Sequence, residues 1–260
     1  MARQPPVRDV APAVQKLRVR YAKRGRLRFT SHRDIQRALE RALRRSSVPM
    51  AYSAGFTPHP KISYAGAAAM GAASEAEYLE ISVTERLEPE RLQAALDAAL
   101  PPGLDVVEVV EAGQGSLADR LEASEWQIQL PDVSAGQAAE AAGLLLAETE
   151  VEVERMMKSG PRRFDARGPI VRLAADAGQT ASGSRCAILR LVVRHATPAV
   201  RPDDVLTALH QVAGLTPPVP PMVTRLAQGP LNQESGQVAD PLASDRASVA
   251  GVVEADPQPR

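Results

Sequence analysis

Lys16 to Arg45 reads KLRVRYAKRGRLRFTSHRDIQRALERALRR, and the hydrophobic pattern changes its period inside it. From Lys16 to Lys23, Leu17, Val19 and Tyr21 alternate with Lys16, Arg18 and Arg20, the two-residue repeat of a half-buried strand. Gly25 permits a turn. Leu27 and Phe29 then lead to Ser31, which with Asp34 three residues on has the form of a capping box. From about His32 to Arg45 the repeat is helical: Ile35, Ala38, Leu39, Ala42 and Leu43 share one face, and Arg33, Arg37, Arg41 and Arg44 line the opposite one. A strand followed by a helix with a basic outer row is expected.

Beyond Pro49, Met50 to Tyr52 has the composition of a short extended piece, and Ser53 to Pro60 holds Gly55, Pro58 and Pro60, which forbid regular structure. Lys61 to Tyr64 and Glu77 to Val83 read as strands. Glu88 to Leu100 reads as a helix with acids in its first turn, stopped by Pro101-Pro102-Gly103, and Leu104 to Val110 as a fourth strand. The order strand, helix, strand, strand, helix, strand is that of a ferredoxin-like unit, an antiparallel sheet with both helices on one face and the other face free to bind. The order recurs farther on. Ser124 to Leu130, Val151 to Met157, Arg185 to Arg194 and Met222 to Leu226 read as strands, Ser134 to Ala147 and Pro202 to Val212 as helices, and Arg162 to Leu173 as a hairpin or elaborated edge. The expected architecture is therefore α+β, with two tandem ferredoxin-like (βαββαβ) units over 15–112 and 113–227. A leader, 1–14, and a tail, 228–260, are expected to be disordered, the tail because it has no aromatic residue and much Pro, Gly, Ser, Asp and Gln.

Charge is distributed unevenly. Residues 1–65 carry fifteen Lys or Arg against three Asp or Glu, whereas residues 66–122 carry three against twelve, in a chain of net charge zero. Such segregation fits an anionic ligand, or two stretches that neutralise one another. Arginine suits phosphate, because its planar fork donates two parallel hydrogen bonds. Arg26, Arg28, Arg33, Arg37, Arg41, Arg44 and Lys61 are the candidate contacts, with the 55–61 loop shaping them. Tyr52, Phe56 and Tyr64 are interleaved among these cations, where aromatic rings stack on unpaired bases. His59 lies in the same loop, and His32 or His59 would be the general acid or base if a 2′-hydroxyl were attacked.

Other chemistries have no motif. The single cysteine, Cys186, excludes an internal disulfide and a cluster held by several thiolates, and sits mid-strand as a small buried hydrophobe. There is no phosphate-binding glycine loop, nucleophile elbow or zinc-protease signature, and two histidines without a third ligand do not define a metal site. No cofactor is expected. Neither a signal peptide nor a run of about 18 apolar residues occurs, so a cytoplasmic protein that makes no membrane contact is expected.

Arg26 to Ile35 (RLRFTSHRDI), Arg41 to Arg45 (RALRR), Tyr52 to Ser63 (YSAGFTPHPKIS) and Glu75 to Ile81 (EAEYLEI) together resemble the radical-SAM-linked domain. This bacterial family occurs fused behind a radical S-adenosylmethionine enzyme or as a stand-alone protein. The resemblance covers roughly Leu17 to Trp126. It implies association with a radical enzyme and with RNA or ribosome biology, and supplies no reaction. The chain lacks the C-x-x-x-C-x-x-C motif of the radical catalysts, so the role expected for it is to present a substrate. The tandem arrangement is also similar to that of endoribonucleases that process CRISPR repeat RNA, without their glycine-rich loop. The expectation is a non-catalytic module that binds tRNA or rRNA for a radical SAM enzyme. Two alternatives stay open: an endoribonuclease or nucleotidyl enzyme using His32 or His59, and an interaction subunit docking an acidic partner protein.

Overall fold

The computed structural model describes residues 11–158 and 160–247. Residues 1–10 of the leader and 248–260 of the tail lie outside that range. The chain divides into two compact units: Arg120–Asp240 form the second, and residues 241–247 belong to the first.

In the first unit the elements are β1 (Gln15–Lys23), α1 (His32–Arg45), β2 (Ile62–Ala65), β3 (Ala73–Val83), α2 (Pro89–Ala99) and β4 (Leu104–Glu111), followed by the short α3 (Leu117–Arg120). The strands lie in the order β4-β1-β3-β2, every pair antiparallel. Alternation decides which face is apolar. Leu17, Val19 and Tyr21 of β1, Leu79, Ile81 and Val83 of β3, and Leu104, Val106 and Val109 of β4 form one core with Ile35, Leu39 and Leu43 of α1 and Leu92 and Leu96 of α2. Each such side chain contributes about 2 kcal/mol relative to exposure. α1 starts where the cap places it, with the Ser31 hydroxyl accepting the Asp34 N–H at 3.2 Å.

The second unit contains β5 (Ala123–Pro131), α4 (Ala135–Ala147), β6 (Glu152–Met157), β7 (Gly160–Asp165), β8 (Ile170–Gln179), β9 (Arg185–Arg194), α5 (Pro202–Ala213) and β10 (Met222–Gly229). Its sheet runs β10-β5-β9-β8, again antiparallel. α4 packs on β8 and β9 and against α5. The α+β class with antiparallel sheets holds for both units, and Cys186 is buried as expected.

Four expectations need correction. The strand read at Val151 to Met157 exists as β6 but pairs only with β7, in a separate two-stranded sheet; its place in the main sheet is taken by β8. Glu152 and Glu154 both reach Arg163 on β7, so the nearest basic strand captures it. Met50 to Tyr52 makes only isolated bridges, Met50 to Val83 and Tyr52 to Pro60. The sheet face opposite the helices is not free: on it Arg18 is 0% exposed, its guanidinium bonded to Glu80 and Asp245. Finally, the tail is not disordered over 228–247. Leu231 bridges Val238, residues 243–247 are helical, and Leu242 and Asp245 are both 0% exposed. Its composition looked unable to fold in isolation, but the buried Arg18 requires a carboxylate, and Asp245 supplies it.

Candidate nucleic-acid interface

The basic strand row and the basic helix row meet opposite fates. In the strand row, one terminal nitrogen of Arg18 donates to the Asp245 carboxylate, 2.7 and 2.8 Å from its two oxygens, and its Nε donates to Glu80 at 3.0 Å. Arg20 donates to the Glu75 carbonyl at 2.9 Å, and Lys23 to the Ala69 carbonyl at 3.2 Å. Arg24 binds Glu75 and, at 2.8 Å, Asp105. Arg18 and Arg24 are thus met by carboxylates, and Arg20 and Lys23 by main-chain carbonyls. On the helix the picture differs. Arg33, Arg37, Arg41 and Arg44 are all exposed, because Ile35, Leu39, Ala42 and Leu43 take the core-facing side. Among the described residues only Arg37 has a carboxylate within ion-pair distance, Asp34 one turn back at 3.6 Å, and Arg26, Arg33, Arg41 and Arg44 have none. Glu40, the other acid of α1, instead acts on Tyr64, whose phenol pKa is pushed up by burial and then by that negative charge.

At the start of α1 the chain forms a 3-10 turn over Gly25–Phe29. Its three-residue repeat turns Phe29 outward, to 58% exposure, where strand alternation would have placed it beside Leu27 in the interior. Arg28, half-buried, lays its guanidinium over the Phe29 ring, 4.6 Å from the centroid. Nothing in the sequence pattern signals that Phe29 is exposed.

The 52–60 loop is closed at its root. The Ser53 N–H donates to the His59 carbonyl at 2.9 Å, the His59 N–H to Ser53 Oγ at 3.1 Å, and the Lys61 N–H to the Ala51 carbonyl at 2.8 Å. This brings Tyr52, His59 and Lys61 together, all exposed, and leaves Phe56 at the tip at 53% exposure. Tyr64 does not join them: its hydroxyl is buried without a hydrogen-bond partner among the described residues. His32 packs edge-on against Tyr64, ring centroids 5.6 Å apart, and bonds Gln36 at 2.9 Å. Neither His32 nor His59 contacts a carboxylate or a second imidazole among the described residues.

A hydroxyl–imidazole pair that the sequence did not reveal lies in the second unit. Ser124 Oγ is 2.7 Å from His195 Nε2, and His195 Nδ1 is 2.6 Å from the Leu121 carbonyl oxygen, which fixes Nδ1 as the protonated nitrogen. Ser124 is only 2% exposed, so this is an internal hydrogen bond tying β5 to the end of β9 and not an accessible nucleophile. Sequence spacing gave no signal for it, since the partners are 71 residues apart. Among the described residues no group of three or more His, Cys, Asp or Glu is placed to hold a metal ion, and no helix is long and apolar enough to cross a membrane.

With this geometry in hand, comparison with known proteins gives one firm relationship. The profile of a family described as uncharacterised proteins conserved in bacteria (DUF2344) matches residues 16–202. No curated protein matches the chain. Similar solved structures include DyPB from Rhodococcus jostii RHA1, at 13% identity with 78% of this chain and 85% of that one covered and a TM-score of 0.22. Another is the encapsulated DyP-type peroxidase from Mycobacterium smegmatis, at 10% identity with 87% and 94% covered and a TM-score of 0.21. Likeness at that level carries no argument about fold or chemistry.

Proposed function

The chain belongs to the DUF2344 family of bacterial proteins, and from that premise we propose that it is an RNA-binding module, for tRNA or rRNA, whose contact surface is the outer face of α1. The observation that carries this reading is the row Arg33, Arg37, Arg41 and Arg44, exposed along α1 with Asp34 the one carboxylate in ion-pair contact with it among the described residues. Arg26, in the turn before α1, is also exposed, and Phe29, Tyr52 and Phe56 are exposed aromatics in the adjoining segments. Successive arginines one helical turn apart match a phosphate backbone without selecting bases, and exposed rings stack on any unpaired base. Arg18, Arg20 and Arg24, already satisfied within the unit, take no part.

Binding, not catalysis, is the activity proposed. His32 is committed to Gln36 and Tyr64, and His59 is held through its main chain. The strand order shared by the two units supports reading each as ferredoxin-like and the pair as a tandem. The resemblance to the radical-SAM-linked domain supports a radical SAM enzyme as partner and the cytoplasm as the place of action. In this scheme the module presents RNA to that enzyme. Crosslinking in cells followed by digestion tests the class of ligand: recovered RNA supports the proposal, and recovery of an acidic protein with no RNA rejects it.

A further inference from the structure

The β6–β7 hairpin of the second unit carries a surface that the α1 reading does not use. Its root is fixed: Val153 is 1% exposed, and Arg155 reaches Asp204 at 2.6 Å and the Ala199 carbonyl at 3.2 Å while its guanidinium covers Phe164 at 4.8 Å. The acids of the ribbon, Glu152 and Glu154, are both bonded to Arg163. The distal end is different. Met156 and Pro161 face each other across the ribbon, Met156 at 75% exposure and Pro161 exposed as well, so they share one face as an apolar pair. Lys158 in the turn and Arg162 on the opposite face are exposed and have no carboxylate partner among the described residues. A lone exposed methionine is ordinary. An apolar pair at the end of an anchored ribbon of roughly 20 Å, with a cation in the turn, another on the reverse face and the nearest acid, Glu154, already bonded to Arg163, suits an arm that wedges between stacked bases while holding the flanking phosphates.

We propose that the hairpin tip is a second RNA contact, in which Met156 and Pro161 insert beside an unstacked base and Lys158 and Arg162 hold the neighbouring phosphates. The proposal rests on the RNA-binding reading of α1 and adds to it a site that distorts the RNA and does not merely grip it. Its test uses the full chain and a stem-loop RNA carrying 2-aminopurine beside a bulge. Wild-type protein raises the 2-aminopurine fluorescence on binding. Met156→Ala binds with an unchanged salt slope but loses that rise. Lys158→Gln with Arg162→Gln lowers the slope of log affinity against log salt by about two. Both variants melt like wild type, since neither touches Arg155 or Val153. If both also bind and report like wild type while Arg37→Glu with Arg41→Glu loses the RNA, the hairpin proposal is overturned and the α1 reading stands. If wild type does not bind the RNA, both are overturned.

Discussion

The guanidinium of Arg18 lies at 0% exposure between Asp245 and Glu80, whereas that of Arg41 stands in solvent with no carboxylate partner among the described residues. Removing one member of a buried pair leaves an uncompensated charge in a medium of low dielectric. Asp245→Ala is therefore expected to lower the unfolding free energy by about 3 kcal/mol, read from urea denaturation. Arg41→Ala, at a solvated site, should change it by less than about 0.5 kcal/mol. His195 gives a prediction in pH. Burial pushes its pKa below the usual 6.5 and the nearby charge of Arg225 adds to the fall, while the Leu121 carbonyl opposes it. The unfolded chain thus takes up the proton at a higher pH than the folded one. The contribution is flat above about pH 6.5, and stability is lost as pH drops from there toward the depressed folded value. Melting temperatures between about pH 7.5 and 5.5 should show this loss, and His195→Asn should flatten that part of the profile.

At the level of elements, α1 was readable because two independent signals agreed, the cap at Ser31 and the helical spacing of Ile35, Leu39 and Leu43. Ser31→Ala should cost about 1 kcal/mol in thermal or chemical denaturation. The 3-10 turn before α1 was hidden because Leu27 and Phe29 alternate like strand residues, and a five-residue element offers too short a window to separate a period of two from one of three. β6 failed for another reason. Its strand character was visible, but its pairing with β7 depends on Arg163 and on the turn at Gly160, at φ 107°, which local alternation does not report. The α1 arginine row was legible in sequence. That the strand row would be neutralised was not, because Glu75, Glu80 and Asp105 reach it only through the sheet register.

Over the whole chain, the order of elements was legible while the role of the end was not. Arg18 and Asp245 are 227 residues apart, and no window of sequence joins them. Deleting Pro241 onward strips Arg18 of Asp245 and Glu108 of its Arg246 partner, so the shortened chain is expected to melt well below the full one in calorimetry. The central claim is that α1 carries an open phosphate-binding face, and its most direct test is the affinity of the full chain for RNA as a function of salt. If Arg26, Arg33, Arg37, Arg41, Arg44 and Lys61 contact phosphates, log affinity should fall linearly against log salt, these six contributing about −4 to −5 to the slope. Arg37→Glu with Arg41→Glu should weaken binding about tenfold or more per residue. Binding that is absent, insensitive to salt, or unchanged by reversing those two charges would contradict the account.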